Sequence, residues 1–302
     1  EWFGNLSKLR KIALCPALLR LPDWVSHLHQ LEVLSLHGLD KLTDVPDFVQ
    51  TLPKLKTLDL SGCTSLRTLP AWLDFEYYRA KNVNLDGCTS LQWSSWMPWL
   101  PNMGTVDQAI AEAKRQRVKM LYLERGEHVV KGDSNGQALI DFSLVVKGAG
   151  QGETVVKGGF EIKGDQKKDQ VRLETMTVTN PKGSGVYGYK GAKFEGKELT
   201  IDGCDGCGVW AYDTQGTLTD CIVTNCRWSG ILSEDNGVIH LYGERTQVTR
   251  NCTNGRSDNY GLEAYYSSSQ IILHAPLTKE SVSRNNKGGG NWGGDGKIIE
   301  RR

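Results

Sequence analysis

Hydrophobic positions follow two rhythms along this chain. In the first, a strand-like segment recurs as LRKIAL (9–14), LEVLSL (31–36), LKTLDL (55–60) and, in weaker form, AKNVNL (80–85). Evenly spaced prolines follow three of these segments: Pro22, Pro46 and Pro70, each after Leu or Val. An aromatic stands two positions beyond each proline, at Trp24, Phe48 and Trp72, and Trp96 continues the series. Repetition at a fixed period predicts stacked units that bury their apolar faces against one another. The leucines then point inward, and Arg10, Lys11, Glu32, Ser35, Lys56, Asp59, Lys81 and Asn84 line one face. The aromatic ladder is expected to anchor the opposite side by packing.

The second rhythm begins beyond residue 125. TVTN (177–180), LTID (199–202), IVTN (222–225), QVTRN (247–251) and SVSRN (281–285) recur. Gly-apolar pairs follow at Gly185-Val186, Gly208-Val209, Gly230-Ile231 and Gly261-Leu262. The spacing predicts coils of roughly twenty-odd residues built from short strands. Asn180, Asn225, Asn251 and Asn285, with Asp202 in the second copy, are expected at one turn as a buried stack that satisfies backbone groups. NCTNGRSDNY lengthens one coil, so a loop is predicted over Asn251–Tyr260. Between the two rhythms lies WSSWMPWLPNMG (93–104), where three tryptophans and two prolines suggest packing between solenoids rather than a flexible linker. Thr105 then caps a predicted helix with Val106, Ile110 and Ala113 on one face, and VKMLYLERGEHVV (118–130) reads as a strand.

The LDLSGCTSLRTLP stretch (58–70) resembles the leucine-rich repeat, most of all its plant and immune-receptor forms, and the resemblance covers about residues 6–95. It implies a concave face lined by short strands. A helix, a strand and then Gly-punctuated coils resemble the entry to right-handed parallel β-helix proteins of the pectate-lyase-like class. In that class a short amphipathic helix covers the open end. The expected fold is therefore an α/β and a β solenoid in one chain: a leucine-rich-repeat solenoid over 1–100 and a right-handed parallel β-helix over 101–302. The chain starts without a polar capping sequence, so it is expected to be a piece of a longer protein.

Composition narrows the function classes. Of 302 residues, 39 % are hydrophobic and 24 % charged, and the formal net charge is +1, so neither a general nucleic-acid binder nor a disordered chain is expected. No apolar run is long enough for a transmembrane helix, and no membrane contact is expected. Thirty-four glycines against nine prolines suit a solenoid with many tight turns. Cys63 and Cys88 occupy the same slot of successive repeats, and Cys204, Cys207, Cys221, Cys226 and Cys252 sit in successive coils. Cys204-x-x-Cys207 admits a zinc or redox reading. The poor ligand spacing favours buried free thiols instead, and no metal or cofactor is expected. Asn5-Leu6-Ser7 and Asn251-Cys252-Thr253 fit the N-glycosylation pattern.

Alternation along the Gly-apolar strands points to a contact surface. The inward set is Val186 and Gly188, Val209 and Ala211, Ile231 and Ser233, Leu262 and Ala264. The outward set is Tyr187 and Tyr189, Trp210 and Tyr212, Leu232 and Glu234, Glu263 and Tyr265, with Asp213 and Asp235 beside it and Arg227 and Trp228 on the preceding turn. An aromatic row beside carboxylates is suited to sugar rings, whose C–H faces pack on π faces. The alternatives are cross-strand stabilisation of the sheet or a cover supplied by another segment. Tyr187, Tyr189, Trp210, Tyr212, Asp213, Glu234 and Tyr265 are the candidate ligand contacts, with a polysaccharide or a protein as partner. A non-catalytic module is expected. Were it an enzyme of the resembled class, Glu234 and Glu263 would be its acid–base pair, with Arg227 beside them. The third reading is a spacer within a larger protein.

Overall fold

The structure is a computed structural model that describes residues 6, 8–14, 18–93, 95–99, 101–164 and 170–302. The chain divides into two compact units, Glu1–Ser94 and Ser95–Arg302.

The first unit stacks four short parallel strands, Lys11–Ala13, Val33–Ser35, Thr57–Asp59 and Val83–Asn84. Ile12, Leu34, Leu58 and Val83 fall in one register column, and Leu34 and Leu58 are fully buried. Pro22 and Pro46 precede the 3-10 helices Asp23–His27 and Asp47–Thr51, where a fixed φ and a missing N–H cost nothing. Cys63 and Cys88 do share one slot: each thiol donates to a carbonyl of the preceding repeat, Leu36 at 3.3 Å and Leu60 at 3.2 Å. The polar positions between the leucines pair across strands. Glu32 sits between Arg10 and Lys56 at 3.8 and 2.9 Å, and Ser35 donates to Asp59 at 3.2 Å. Trp24, Phe48 and Trp72 are half-buried, and the Trp72 indole donates to Asp47 at 3.0 Å. Asn5 and Ser7, and with them the first glycosylation pattern, lie outside the described residues.

Trp96 does not continue that ladder. The strand Trp96–Trp99 pairs with Met120–Leu123 and opens a sheet of the second unit. The division therefore falls ahead of the boundary at residue 100 read from the sequence, because this strand is ordered by its partner and not by the leucine spacing.

After that strand the second unit continues with the helix Val106–Gln116. Thr105 and Gln108 form a reciprocal capping box, and Val106, Ala109, Ile110 and Ala113 are buried. Three parallel sheets follow. The nine-stranded sheet runs from Trp96–Trp99 to Lys297–Arg301. A seven-stranded sheet from Gly126–Val129 to Ser283–Arg284 carries the TVT and IVT segments, and is called the threonine sheet here. The other seven-stranded sheet, from Gln137–Ile140 to Gly290–Gly293, carries the Gly-apolar strands and is called the aromatic sheet. The chain visits aromatic, nine-stranded and threonine sheets in turn, and each visit pairs with the coil before it. Single left-handed residues make one corner: Thr175, Glu198 and Asp220, at φ 52°, 51° and 53°. Inward small residues are required where a ring fills the bore. A Cβ on Gly188 would stand 2.9 Å from the Phe194 ring, and one on Gly216 only 2.4 Å from it.

The asparagine stack is not the one expected. Asn180 and Asn251 are fully buried, but Asn225 and Asn285 are exposed, at φ 55° and 57°. These two take the left-handed position, which Asn tolerates, and the next residue turns inward. The inward column is thus Asn180, Cys204, Cys226, Asn251 and Asn286. Asn251 Nδ2 donates to Val223 O at 3.0 Å, Asn286 Nδ2 to Val248 O at 2.9 Å, and the two side chains bond at 3.1 Å. Asn251 is therefore inaccessible as a glycosylation acceptor. Its successor Cys252 is buried too, so the exposed part of the predicted loop is confined to residues 253–258.

Candidate ligand-binding face

On the aromatic sheet, two outward columns run along the solenoid. One passes Glu161, Tyr187, Trp210, Leu232 and Glu263; the other passes Lys163 and Tyr189, then Tyr212 and Glu234. Successive members stand about 4.8 Å apart. Tyr187, Tyr189, Trp210 and Glu234 are half-buried; Tyr212, Asp213 and Tyr265 are exposed. Alternation thus places this set as the sequence predicts, with one exception. Glu263 points outward by register but is 3 % exposed.

The aromatic groups are held in place by carboxylates. Trp210 Nε1 donates to Glu234 at 3.0 Å. The Tyr212 phenol bonds to Asp235, which raises its pKa. Burial and a bond to Glu161 push Tyr189 up to about 12. Ring faces are not equally free. Tyr187 and Tyr189 stack 1° from parallel at 5.2 Å, and Lys190 covers Tyr189 from 5.6 Å. Trp210 leans on Tyr187 at 4.8 Å and 43°. Tyr187 and Tyr189 therefore show edges and hydroxyl ends to solvent. Trp210 and Tyr212 remain to offer faces.

The three residues of the catalytic alternative do not converge on an open cleft. Arg227 is exposed and paired with Asp205 at 2.9 Å. Glu234 is engaged by the indole, and burial raises its pKa. Glu263 accepts a hydrogen bond from Ser229, itself fully buried, and burial pushes its pKa up to about 7. The Ser229 hydroxyl also accepts from the Tyr260 amide at 3.2 Å. A carboxyl enclosed in this way is placed to hold a proton.

Cys207, Cys221, Cys226 and Cys252 are buried free thiols with raised pKa, and Cys204 is buried beside them. Burial is the leading cause for Cys207, Cys221 and Cys252; for Cys226 it is a hydrogen bond with Cys204. Among the described residues, no three His, Cys, Asp or Glu side chains are grouped to hold a metal ion. Among the described residues, no helix is long and apolar enough to cross a membrane.

Sequence reasoning missed a second outward surface, on the nine-stranded sheet. A groove of about 280 Å³ lies there between Glu195 on one side and His240 and Tyr242 on the other, with Gln215 and Thr217 between them. The signal was present: IHLY (239–242) alternates aliphatic with ring-bearing polar positions, Thr217 precedes His240 in register, and His274 lies one coil on. Aromatics there are imidazoles and one tyrosine, so nothing stood out from a typical strand.

No curated protein matches the chain. The family described as the right-handed beta helix region matches residues 130–296, more than half of the chain, and these coincide with the three-sheet coils. The protein belongs to the right-handed beta helix family.

Proposed function

We propose that this protein is a non-catalytic binding module that holds a glycan on the outer face of its aromatic sheet. The observation that carries this reading is the Trp210–Glu234 pair next to the exposed Tyr212. An indole fixed by a carboxylate is ordered before any ligand arrives, so binding loses little side-chain entropy there. Glu234, Asp235 and Asp213 stand at the same end as acceptors for sugar hydroxyls, and Tyr265 extends the platform by one coil. Enclosure of Glu263 and the pairing of Arg227 with Asp205 favour binding over cleavage. Within the same reading, the second unit belongs with the pectate-lyase-like class. The first unit is a leucine-rich-repeat solenoid whose short polar strands meet a protein partner.

The test is a glycan array with wild type and Trp210→Ala. Wild type is expected to retain at least one glycan, and Trp210→Ala to lose it, since removal of a central aromatic anchor typically costs about 2 kcal/mol or more. Both proteins should melt alike, because an outward side chain leaves no cavity. Glu234→Gln should weaken binding. An empty wild-type array refutes the reading. Release of reducing ends from a polysaccharide, lost in Glu234→Gln, replaces it with the enzymatic one.

A further inference from the structure

The groove on the nine-stranded sheet has the build of a separate ligand site. Thr217 lies in register between Glu195 on the preceding coil and His240 on the next. Two strand spacings, about 10 Å, therefore separate the walls, and a small hydroxyl side chain forms the floor. Tyr242 stacks on His274 of the following coil at 4.0 Å and 12°, and His240 lies 18° from Tyr242. Since His274 covers the far side of Tyr242, the open ring face turns back toward the groove. His240 Nδ1 and His274 Nε2 share one hydrogen bond at 2.9 Å, which fixes the His240 imidazole edge to edge with His274. The open Tyr242 face is the aromatic wall, with the His240 ring set beside it.

The opposite wall is polar and equally fixed. Gln170 donates to Glu195 Oε1, and Arg172 Nε donates to Oε2 at 2.7 Å. A carboxylate held by two donors keeps further lone pairs for a ligand. Gln215 adds an amide on the floor. Burial, His274 and then Arg301 lower the pKa of His240, so its ring is uncharged at pH 7.5. A purely apolar ligand would strand the polar wall, and a compact ion would leave the ring faces unused. What suits one flat apolar wall, one hydrogen-bonding wall and a volume near the small end of ligand pockets is a single ring with C–H groups on one face and hydroxyls around its rim.

We propose that this groove binds one pyranose ring, with its C–H face on Tyr242, its edge beside His240, and its hydroxyls on Glu195, Gln215 and Thr217. The site lies on a different sheet from Trp210 and shares no residue with the aromatic-sheet surface. It stands on its own geometry, whatever that surface binds.

The experiment titrates the whole protein, labelled in its histidine and tryptophan rings, with methyl β-glucopyranoside and methyl β-galactopyranoside, followed by NMR. The expected result is a saturable shift of the His240 and His274 ring signals in the millimolar range with at least one of the two sugars. Tyr242→Ala should lose the shift, and so should Thr217→Phe, which fills the floor without touching the aromatic wall. Trp210→Ala should keep it. Unmoved imidazole signals overturn the proposal. So does a shift that survives both groove variants, or one that mannitol, an open-chain polyol, reproduces. The Trp210 indole signal reads the aromatic sheet in the same titration. Movement of the indole alone refutes the groove and leaves the first site standing; movement of the imidazoles alone supports the groove and leaves the first site to the glycan array.

Discussion

Glu263→Gln is the perturbation that exposes most of the physics of the aromatic sheet. The carboxyl is 3 % exposed, accepts from Ser229, and stands within electrostatic reach of Asp258 and Glu234. Burial pushes its pKa from an ordinary 4.5 up to about 7, against the opposing effect of the Ser229 bond. The folded protein thus keeps a proton between these values that the unfolded chain has lost. Below about pH 4.5 both states are protonated, and the group contributes nothing to the difference. As pH rises from 4.5 to 7 the stability falls, and above 7 it levels off. The gap between the two values, at about 1.4 kcal/mol per pKa unit, amounts to about 3 kcal/mol. Glutamine reproduces the protonated carboxyl in shape and still bonds to Ser229. The variant should match wild type at pH 4.5 and exceed it by about 3 kcal/mol at pH 8, which is roughly 6–12 °C in Tm for a unit of this size. Thermal melts of both proteins at pH 4.5, 6 and 8 measure this, and subtracting one profile from the other cancels the titrating groups that do not interact with Glu263. A difference that stays flat across pH, or that favours wild type at pH 8, refutes the reasoning. Hydrogen exchange adds a local readout. Asp258 lies on the exposed loop, so the amides of residues 253–258 should lose protection as Glu263 ionises.

Other expectations follow from the bore and its turns. Gly216→Ala places a methyl 2.4 Å from the Phe194 ring and should cost about 1–3 kcal/mol by urea unfolding; Phe194→Leu in the same chain should restore part of it, and strict additivity would contradict the contact. Asn251→Ala removes the bonds to Val223 and Asn286 and should cost about 2 kcal/mol or more, whereas Asn225→Gly, at an exposed left-handed turn, should change stability by less than half as much. The five thiols from Cys204 to Cys252 are buried, and Cys221 is pushed up to about 12. Iodoacetamide at pH 8 should leave all five unmodified in the native protein and alkylate them in urea, as read by peptide mass spectrometry.

How much of this was legible beforehand depended on which side of the wall a residue faces. Inward positions were readable because the bore allows few solutions. The Val186/Gly188 and Val209/Ala211 alternation, the Thr105 cap and the Leu34/Leu58 column all follow from volume and hydrogen-bond satisfaction, and local pattern carries both. The turn asparagines failed by one position. Asn225 and Asn285 occupy the left-handed position themselves, whereas in the Asn251 coil Arg250 takes it at φ 60° and Asn251 turns inward one residue later; backbone handedness leaves no mark on hydrophobic periodicity. Trp96 failed for a related reason: its spacing continued the ladder, but its strand had a better partner in Met120–Leu123.

Outward positions are a different problem, because an outward side chain answers to its neighbours on adjacent coils. Tyr187, Tyr189 and Trp210 could be assigned to one face from alternation alone. Which of their ring faces stay open could not, because that depends on how Tyr187 and Tyr189 lie on each other and on where Lys190 rests. Glu263 shows the same limit more sharply. Its register is outward like that of Leu232, and what holds it is a turn serine thirty-four positions upstream together with the backbone of Tyr260. The groove beside Thr217 exists for the complementary reason: a small residue falls between larger ones on the two flanking coils. Relief on a solenoid surface is a difference between coils. It becomes visible once the register is known to the residue, and a one-residue shift would have moved His240 away from Thr217 and closed the groove.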